Sequence, residues 1–385
     1  MAEDRDYDLV LLGATGFTGG LVAEDLARQL AGDDGLRWAV AGRDRAKLET
    51  VRDRLEAAGR PDGIEVVDVH DRAGLTALTR RTRALATTVG PYARHGEGVV
   101  AACIETGTDY VDITGEPAFV NRLLRAHGAA AQQAGVRIVN CCGFDSIPHD
   151  LGAQLAVAQL PDDEPIELRG FVSARGRFSG GTFTSAIEAM ADTGSMRGPR
   201  LDPGDGRRVG SLPRRIERVP AIDGWGVPLP TIDPMVVLRS AAALRDYGPS
   251  FRYGHFARTS NVAVAGGMVA GVGAVAAIAQ LGPGRSLLHR LAPDPGDGPD
   301  EETRAKSRFR VTFLGRSPSA STRVEVRGGD PGYTETSKML AEAARSLIED
   351  RDALPERAGV LTTAVAFGPV LRQRLEARGI SFAVV

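Results

Sequence analysis

Three sets of residues in this chain have types and spacings that could do chemistry. Glycines at 13, 16 and 19, with Thr15, Phe17 and Thr18 among them, make a turn compact enough for backbone N–H groups to meet an anion. Arg43 and Lys47 lie one helical turn apart and could supply cationic donors to a second phosphate. Tyr92, Asp145, Ser146 and His149 are able to give a proton or to steady charge developing on an oxygen.

The elements around these residues decide how they would be used. Tyr7 to Leu12 is an apolar run that predicts a buried strand, and Leu21, Val22, Leu26 and Leu30 predict a helix over Gly20 to Leu30. A glycine turn between such a strand and helix is a pyrophosphate cradle, because the positive end of the helix dipole faces the anion. The pattern therefore predicts a dinucleotide site, against the plainer reading of a tight turn. The next strand ends at Val40-Ala41, where an NAD site usually has an acid for the ribose 2′-hydroxyl. Here Gly42 and Arg43 follow, and an arginine fork suits a 2′-phosphate, so NADP(H) is the expected cofactor. In the alternative, Arg43 is a solvated loop residue, and Asp44 is a helix N-cap or the ribose acid of an NAD site.

Further strands are predicted at Ile64 to Asp68, Ala84 to Val89 and Arg137 to Cys141. Strands alternating with helices imply an α/β fold with a Rossmann-type, doubly wound parallel sheet. Ligands bind outside the carboxyl ends of such strands. Asp68 should then border the adenine, while Val89-Gly90-Pro91 and Gly143 to Ser146 stand where nicotinamide and substrate would meet. Tyr92 could instead cap the nicotinamide pocket, and Asp145 or Ser146 could be N-caps of the next helix. Asp112 and Glu116 could order this edge, or merely bond backbone N–H groups.

Composition excludes several classes. The chain has 385 residues, 43% of them hydrophobic, enough for two packed layers or two domains. A net charge of −2 gives no electrostatic case for nucleic acid. Lysine occurs only at 47, 306 and 338, which reads as coding bias. Met1 to Asp8 is acidic and has no apolar core, so no secretory signal is expected. Cys103, Cys141 and Cys142 make a poor disulfide framework. The pair at 141–142 reads as buried thiols, with a reactive thiol near the nicotinamide as the alternative. The histidines lack ligand spacing and there is no Cys-x-x-Cys, so no metal is expected. No tyrosine has a lysine four positions later, so the Tyr-x-x-x-Lys apparatus of short-chain dehydrogenases is missing.

A first domain is expected over 1–150 and a second, mixed α/β domain over 151–333. C-terminal helices over 334–385 are expected to pack back on the first. Helices are predicted at Leu151 to Leu160, Ala186 to Met190, Thr334 to Ile348 and Gly368 to Arg378. Strands are predicted at Ile166 to Ala174, Arg308 to Leu314 and Ala320 to Arg327. Ser179-Gly180-Gly181-Thr182 could open an anion-binding helix or be an ordinary cap. Gly194 to Pro234 reads as a long irregular stretch, a lid or a mobile segment. Residues 262–281 carry no charge, and Gly267 and Gly271 would allow a close helix contact. The segment could span a bilayer, lie on one or line a lipid groove, or serve as a buried or homodimer helix.

With these residues in view, the chain resembles the saccharopine dehydrogenase-like oxidoreductases, and within them the trans-acting enoyl reductases of actinobacterial lipid synthesis. The resemblance rests on Gly13 to Gly19, Ala41-Gly42-Arg43, Thr88 to Tyr92, Gly107 to Glu116 and Gly143 to Pro148. It extends to Ser179 to Thr182, Pro295 to Pro299 and Gly329 to Tyr333. It implies an NADPH-dependent enzyme that reduces a lipid or polyketide acyl thioester held by a synthase. It also implies a cytoplasmic location at the inner face of the plasma membrane and a role in glycolipid synthesis. His149 departs from the family pattern, which leaves its role open. Two other readings stand beside this one. A saccharopine-type C–N dehydrogenase would need clustered cations, for which Arg207, Arg208, Arg214 and Arg215 are candidates. A non-catalytic NADP-binding protein would bind the cofactor without turnover.

Overall fold

The computed structural model describes residues 5–31, 35–55, 59–175, 201–291 and 298–385. The first half runs β1 (Tyr7–Leu12), α1 (Phe17–Gln29), β2 (Trp38–Gly42), α2 (Arg45–Arg54), β3 (Gly63–Val66), α3 (Arg72–Arg80) and β4 (Thr82–Thr87). It continues through α4 (Tyr92–Thr106), β5 (Asp109–Asp112), α5 (Pro117–Ala134), β6 (Arg137–Val139) and α6 (Ile147–Val157). These strands form an all-parallel sheet in the order β6-β5-β4-β1-β2-β3. Their near-continuous burial is what helices on both faces require. The fold is α/β with a Rossmann-like sheet.

The second half runs β7 (Ile166–Arg175), β8 (Arg208–Ser211), β9 (Glu217–Val219), β10 (Gly224–Pro228), α7 (Asp233–Ala243), β11 (Ser250–Thr259), α8 (Val262–Ala279), α9 (Gly282–Leu291) and α10 (Glu301–Lys306). After these come β12 (Arg308–Arg316), β13 (Ser321–Gly328), α11 (Thr334–Glu349), β14 (Gly359–Leu361), α12 (Thr363–Phe367), α13 (Pro369–Ala377) and β15 (Ser381–Val384). A mixed sheet forms in the order β15-β13-β12-β7-β11-β10-β9, with β8 also on β11. Helix α6 lies between the sheets and packs on β12 and β13. A Cβ at Gly152 would come 2.4 Å from Phe313 and 2.8 Å from Val326, so only glycine allows this approach.

Several local expectations differ from the structure. Helix α1 starts at Phe17 rather than Gly20, because Gly16 takes the N-cap position. Residues 201–234 are not irregular, since β8, β9 and β10 form there by pairing along β11 and with each other. Ser146 sits at the N-cap of α6, but its side chain makes no capping hydrogen bond. Gly267 and Gly271 have open space around them, so no helix packs on them among the described residues. Ser179 to Thr182 and Ala186 to Met190 lie outside the described residues.

The C-terminal residues return to the first sheet. Helix α11 packs on α1, β4 and β5, and β14 extends the sheet beside β6. Glu342, almost fully buried on α11, accepts from Arg374 Nε at 2.7 Å and Arg378 Nη1 at 2.5 Å on and just after α13. Arg378 also bonds Asp25 of α1 at 2.7 Å. Removing one charge from a buried pair leaves the other uncompensated. Glu342→Gln should therefore destabilise the protein by about 3 kcal/mol, read as a lower midpoint in urea. An unchanged midpoint would mean the cluster does not hold this helix in place.

Candidate active site

The glycine turn is built for close approach. Gly13 has φ +94°, and a Cβ there would lie 2.7 Å from Val89 Cγ2. One at Gly19 would sit 2.1 Å from the Gly13 carbonyl, whereas one at Gly16 would meet nothing nearer than 3.5 Å. The N-terminus of α1 has no side-chain cap and no acid in its first turn, leaving its N–H groups for an anion. Thr15 and Gly16 are exposed above it. Phe17 takes another role, as its ring packs edge-on against Tyr333 at 4.9 Å, with the Arg304 guanidinium 5.7 Å away. Its backbone and that of Thr18 remain in the cradle.

At the end of β2 the Asp44 carboxylate accepts the Lys47 N–H at 3.1 Å and caps α2. It is therefore a cap and not a free ribose acid. Arg43 and Lys47 are exposed beside it. Asp68 is exposed after β3, where it accepts the His70 N–H at 2.8 Å.

The loop after β4 is tied to the cradle, since Thr88 Oγ1 donates to the Gly13 carbonyl at 3.2 Å. Val89, Gly90 and Pro91 complete this rim, and Val89 N–H bonds Thr87 Oγ1 at 3.2 Å. Tyr92 is buried and donates its hydroxyl to the Thr87 carbonyl at 3.1 Å. Burial holds that phenol well above its ordinary range, so Tyr92 braces the loop. Glu116 accepts the N–H groups of Tyr92 and Ala93 at 2.9 and 2.8 Å. Asp112 accepts from Asn140 Nδ2 at 2.7 Å and from the N–H groups of Thr114 and Cys141 at 3.0 and 2.9 Å. Both acids thus order the edge by bonding backbone. Cys141 stands at φ +66°, a strained value for a side chain, held by its bond to Asp112. Burial pushes the thiols of Cys141 and Cys142 well up, which removes the reactive-thiolate alternative.

Asp145 differs from its neighbours. Solvent reaches its side chain, yet the surrounding protein still dehydrates it. This dehydration raises its carboxyl to about 6, the charge of Asp233 adds to the rise, and His149 opposes it. A Cβ on Gly115 would lie 2.9 Å from its Oδ2, so the carboxylate rests against bare backbone. Behind it His149 Nδ1 meets Asp233 Oδ1 at 2.7 Å, both fully buried. His255 Nε2 approaches Asp233 Oδ2 at 3.5 Å, and its Nδ1 is 3.1 Å from the Tyr253 hydroxyl. Burial would raise Asp233, but the facing histidines outweigh it and hold the carboxyl at about 2. Burial lowers His255 to about 4, keeping it neutral. Nε2 of His149 has no hydrogen-bond partner.

Asp233 and His255 were not foreseen. They lie on α7 and β11, far in sequence from His149, so no spacing announces them. Ligand-type atoms of the three residues lie within 4.8 Å of one another, a set that could hold a metal ion. The expectation of no metal rested on local spacing, which cannot see such a set. The proposed amino-acid cluster fares differently: Arg207 donates to the carbonyls of Ala241, Ala242 and Leu244 at the end of α7. Arg208, Arg214 and Arg215 are exposed.

The fold and this edge define an NADP-dependent oxidoreductase, and comparison with known proteins agrees. Residues 9–139 match the saccharopine dehydrogenase NADP-binding domain. A Mycobacterium tuberculosis protein assigned by name to the trans-acting enoyl reductases is 36% identical over 413 residues, 99% of this chain and 98% of its own. A trans-acting enoyl reductase of Mycobacterium ulcerans is 32% identical, covering 98% of each. Saccharopine dehydrogenase (L-Glu forming) of Saccharomyces cerevisiae shares the fold, with TM-score 0.54 and 14% identity over 98% of this chain and all of that one. The chain belongs to the trans-acting enoyl reductase family.

The cradle fits NADP(H) by two criteria of this structure: an uncapped helix start, and glycines placed where side chains would block it. Gly16→Ala should change stability by less than about 0.5 kcal/mol but weaken NADPH binding at least about tenfold. Gly19→Ala should destabilise by about 1–3 kcal/mol through overpacking. Fluorescence titration and urea unfolding separate the two effects. Unchanged affinity in Gly16→Ala would place the pyrophosphate elsewhere.

Proposed function

We propose that this chain is an NADPH-dependent enoyl reductase acting in trans on an α,β-unsaturated acyl thioester of a lipid- or polyketide-building synthase. The observation carrying this reading is Asp145, an accessible carboxyl with a raised pKa at the carboxyl edge of the sheet, backed by the buried His149–Asp233 pair. Bound NADPH supplies a hydride to the β-carbon of the alkene. Asp145 delivers the proton that the α-carbon needs. His149, held by its 2.7 Å contact with Asp233, stabilises the oxygen on which negative charge develops. Aromatic rings of Phe144 and Phe309, 4.8 Å apart, wall the turn and limit water. A C–N dehydrogenase of amino acid conjugates is less well supported, because Arg207 is committed to helix carbonyls.

Asp145→Asn should lower kcat for a long-chain enoyl thioester about a hundredfold and leave the Kd for NADPH unchanged. In the native enzyme kcat/KM should fall as pH rises above about 6, where Asp145 loses its proton, and the variant should lose that limb. Full activity in Asp145→Asn would remove the residue from the reaction. Tight NADPH binding with no oxidation by any enoyl thioester would favour a binding protein without catalysis.

Location follows from the same proposal. No helix among the described residues is long and apolar enough to cross a membrane. Yet Val262, Val264 and Ile278 of α8, with Leu281 and Leu287 beyond it, are exposed. We read this apolar surface as a peripheral contact with the inner face of the plasma membrane, where lipid substrates gather. Val264→Asp with Leu281→Asp should reduce co-sedimentation with phosphatidylglycerol vesicles at least about fivefold, as removal of buried apolar area predicts. Unchanged sedimentation together with conversion of a dimer to a monomer would assign the face to a second copy of the chain instead.

A further inference from the structure

One residue of the cradle is held by parts of the chain far from it in sequence. Phe17, the first residue of α1, follows the N-cap Gly16, so its N–H is one of those left for an anion. Its ring is half-buried and meets two later segments. Tyr333 packs edge-on against it at 4.9 Å, placed by Asp330, whose carboxylate accepts the N–H groups of Tyr333 and Thr334 at 3.1 and 3.0 Å. The chain at Gly298 lies flat on the ring, since a Cβ there would come 2.3 Å from Cε1 and 2.5 Å from Cζ. Only glycine allows that approach. Further on, in α10, the half-buried Arg304 holds its guanidinium over the same ring at 5.7 Å. Its Nη1 donates to the Pro299 carbonyl at 2.7 Å, which folds the arginine back over the loop.

The carboxylates of this corner have other partners. Asp300 faces Arg304 but caps α10, where it accepts the Thr303 N–H at 2.8 Å. Glu302 pairs with Lys306 at 2.5 Å and Glu335 with Lys338 at 3.1 Å. Glu301 is exposed. Among the described residues none of these makes an ion pair with Arg304, and of its several N–H donors Nη1 alone meets an acceptor. The guanidinium therefore keeps donors to offer at the rim of the cradle. Its place is also electrostatically unfavourable in the empty protein. The start of α1 is the positive end of a helix dipole and carries no acid in its first turn. Asp300 offsets the cation but does not answer the helix end. An anion seated between the two satisfies both.

We propose that Arg304 is a cofactor-binding residue that closes the diphosphate site from the second half of the chain. With NADP(H) bound, its remaining N–H donors bond the diphosphate resting on Gly13 to Gly19. Phe17 is the platform that holds the guanidinium at that rim. Cofactor binding then fastens residues 298–306 to the start of α1. Strand β12 begins just after them at Arg308, and its Phe309 packs on Phe144 beside Asp145. Loading the cofactor thereby steadies one wall of the proposed reaction site. The proposal rests on the cradle holding the diphosphate, which Gly16→Ala tests by itself, and does not depend on which substrate is reduced.

The test compares NADPH with NADH and needs no turnover. Both carry the diphosphate, and only NADPH carries the 2′-phosphate. Fluorescence titration of the full chain gives both Kd values, native and in Arg304→Gln, with thermal unfolding to check that the variant folds. The two Kd values should rise by the same factor, about tenfold, as loss of a charge-assisted hydrogen bond gives. The preference between the two nucleotides should stay as it was, and Arg304→Lys should recover part of the loss. A loss for NADPH alone would move Arg304 to the 2′-phosphate and overturn the proposal. Unchanged values for both would leave it a prop for Phe17 and overturn it too. The native chain supplies a second arm. Hydrogen exchange at the amides of 298–306 should slow when either nucleotide is bound, and exchange indifferent to both would exclude the closure. Should Gly16→Ala also leave both Kd values unchanged, the fault lies with the cradle. Should it weaken binding while Arg304→Gln does not, the fault lies with Arg304.

Discussion

A buried contact between His149 and Asp233 ties the two sheets together where the chemistry is expected. His149 rides on α6, which leaves the parallel sheet, and Asp233 opens α7, which belongs with the mixed sheet. Taking the Asp233 carboxylate out of water is expensive, and the facing histidines repay it only if the geometry is kept. His255 and Tyr253 extend the polar chain into β11, so displacement of either sheet would leave a charge uncompensated. The pair is therefore a weak source of net stability. It is a strong constraint on how the turn at Gly143 to Ser146 faces the second domain.

The acids along this edge differ by hydrogen bonding more than by position. Asp112 and Glu116 accept backbone N–H groups and fix the loops after β5, β6 and β4. Even so, burial raises Asp112 to about 6, a rise opposed by its donors. Asp145 has a similarly raised carboxyl but meets solvent and rests on the bare backbone of Gly115. Two carboxyls of similar acidity thus serve different ends. The one enclosed by donors holds structure, and the one that meets solvent is the proton donor of the proposed reaction.

Local signals made the cofactor half legible. The strand, the glycine turn and the helix are contiguous, so Gly13 to Gly19 and Arg43 could be read with the elements that hold them. Strand β5 was missed because Asp109 and Asp112 break its apolar run, and β14 because three residues show no period. Both are strands through pairing with distant neighbours. The Gly, Pro and Arg content of 194–234 suggested a loop, yet within 201–234 β11 templates β8 and β10, and β10 in turn pairs β9. Asp233 and His255 were invisible for the same reason. Their role exists only once α7 and β11 bring them to His149. Tyr92 was legible as a residue of the edge but not as its brace, since that depends on where the Thr87 carbonyl falls.

On the proposed membrane contact, α8 would serve a protein that visits a lipid surface without residing in it. At 1.5 Å per residue its 18 residues extend about 27 Å, short of a bilayer's ~30 Å hydrocarbon core. Its alanines and glycines contribute little transfer energy each, and it carries no aromatic side chain to anchor it at an interface. On the membrane contact proposed above, Val262, Val264 and Ile278, with Leu281 just beyond the helix, are the exposed apolar side chains that a reversible contact would bury. An enzyme working in trans must release its partner after each turnover. Weak apolar attraction spread along a smooth helix permits that release, whereas a few deep aromatic anchors would oppose it.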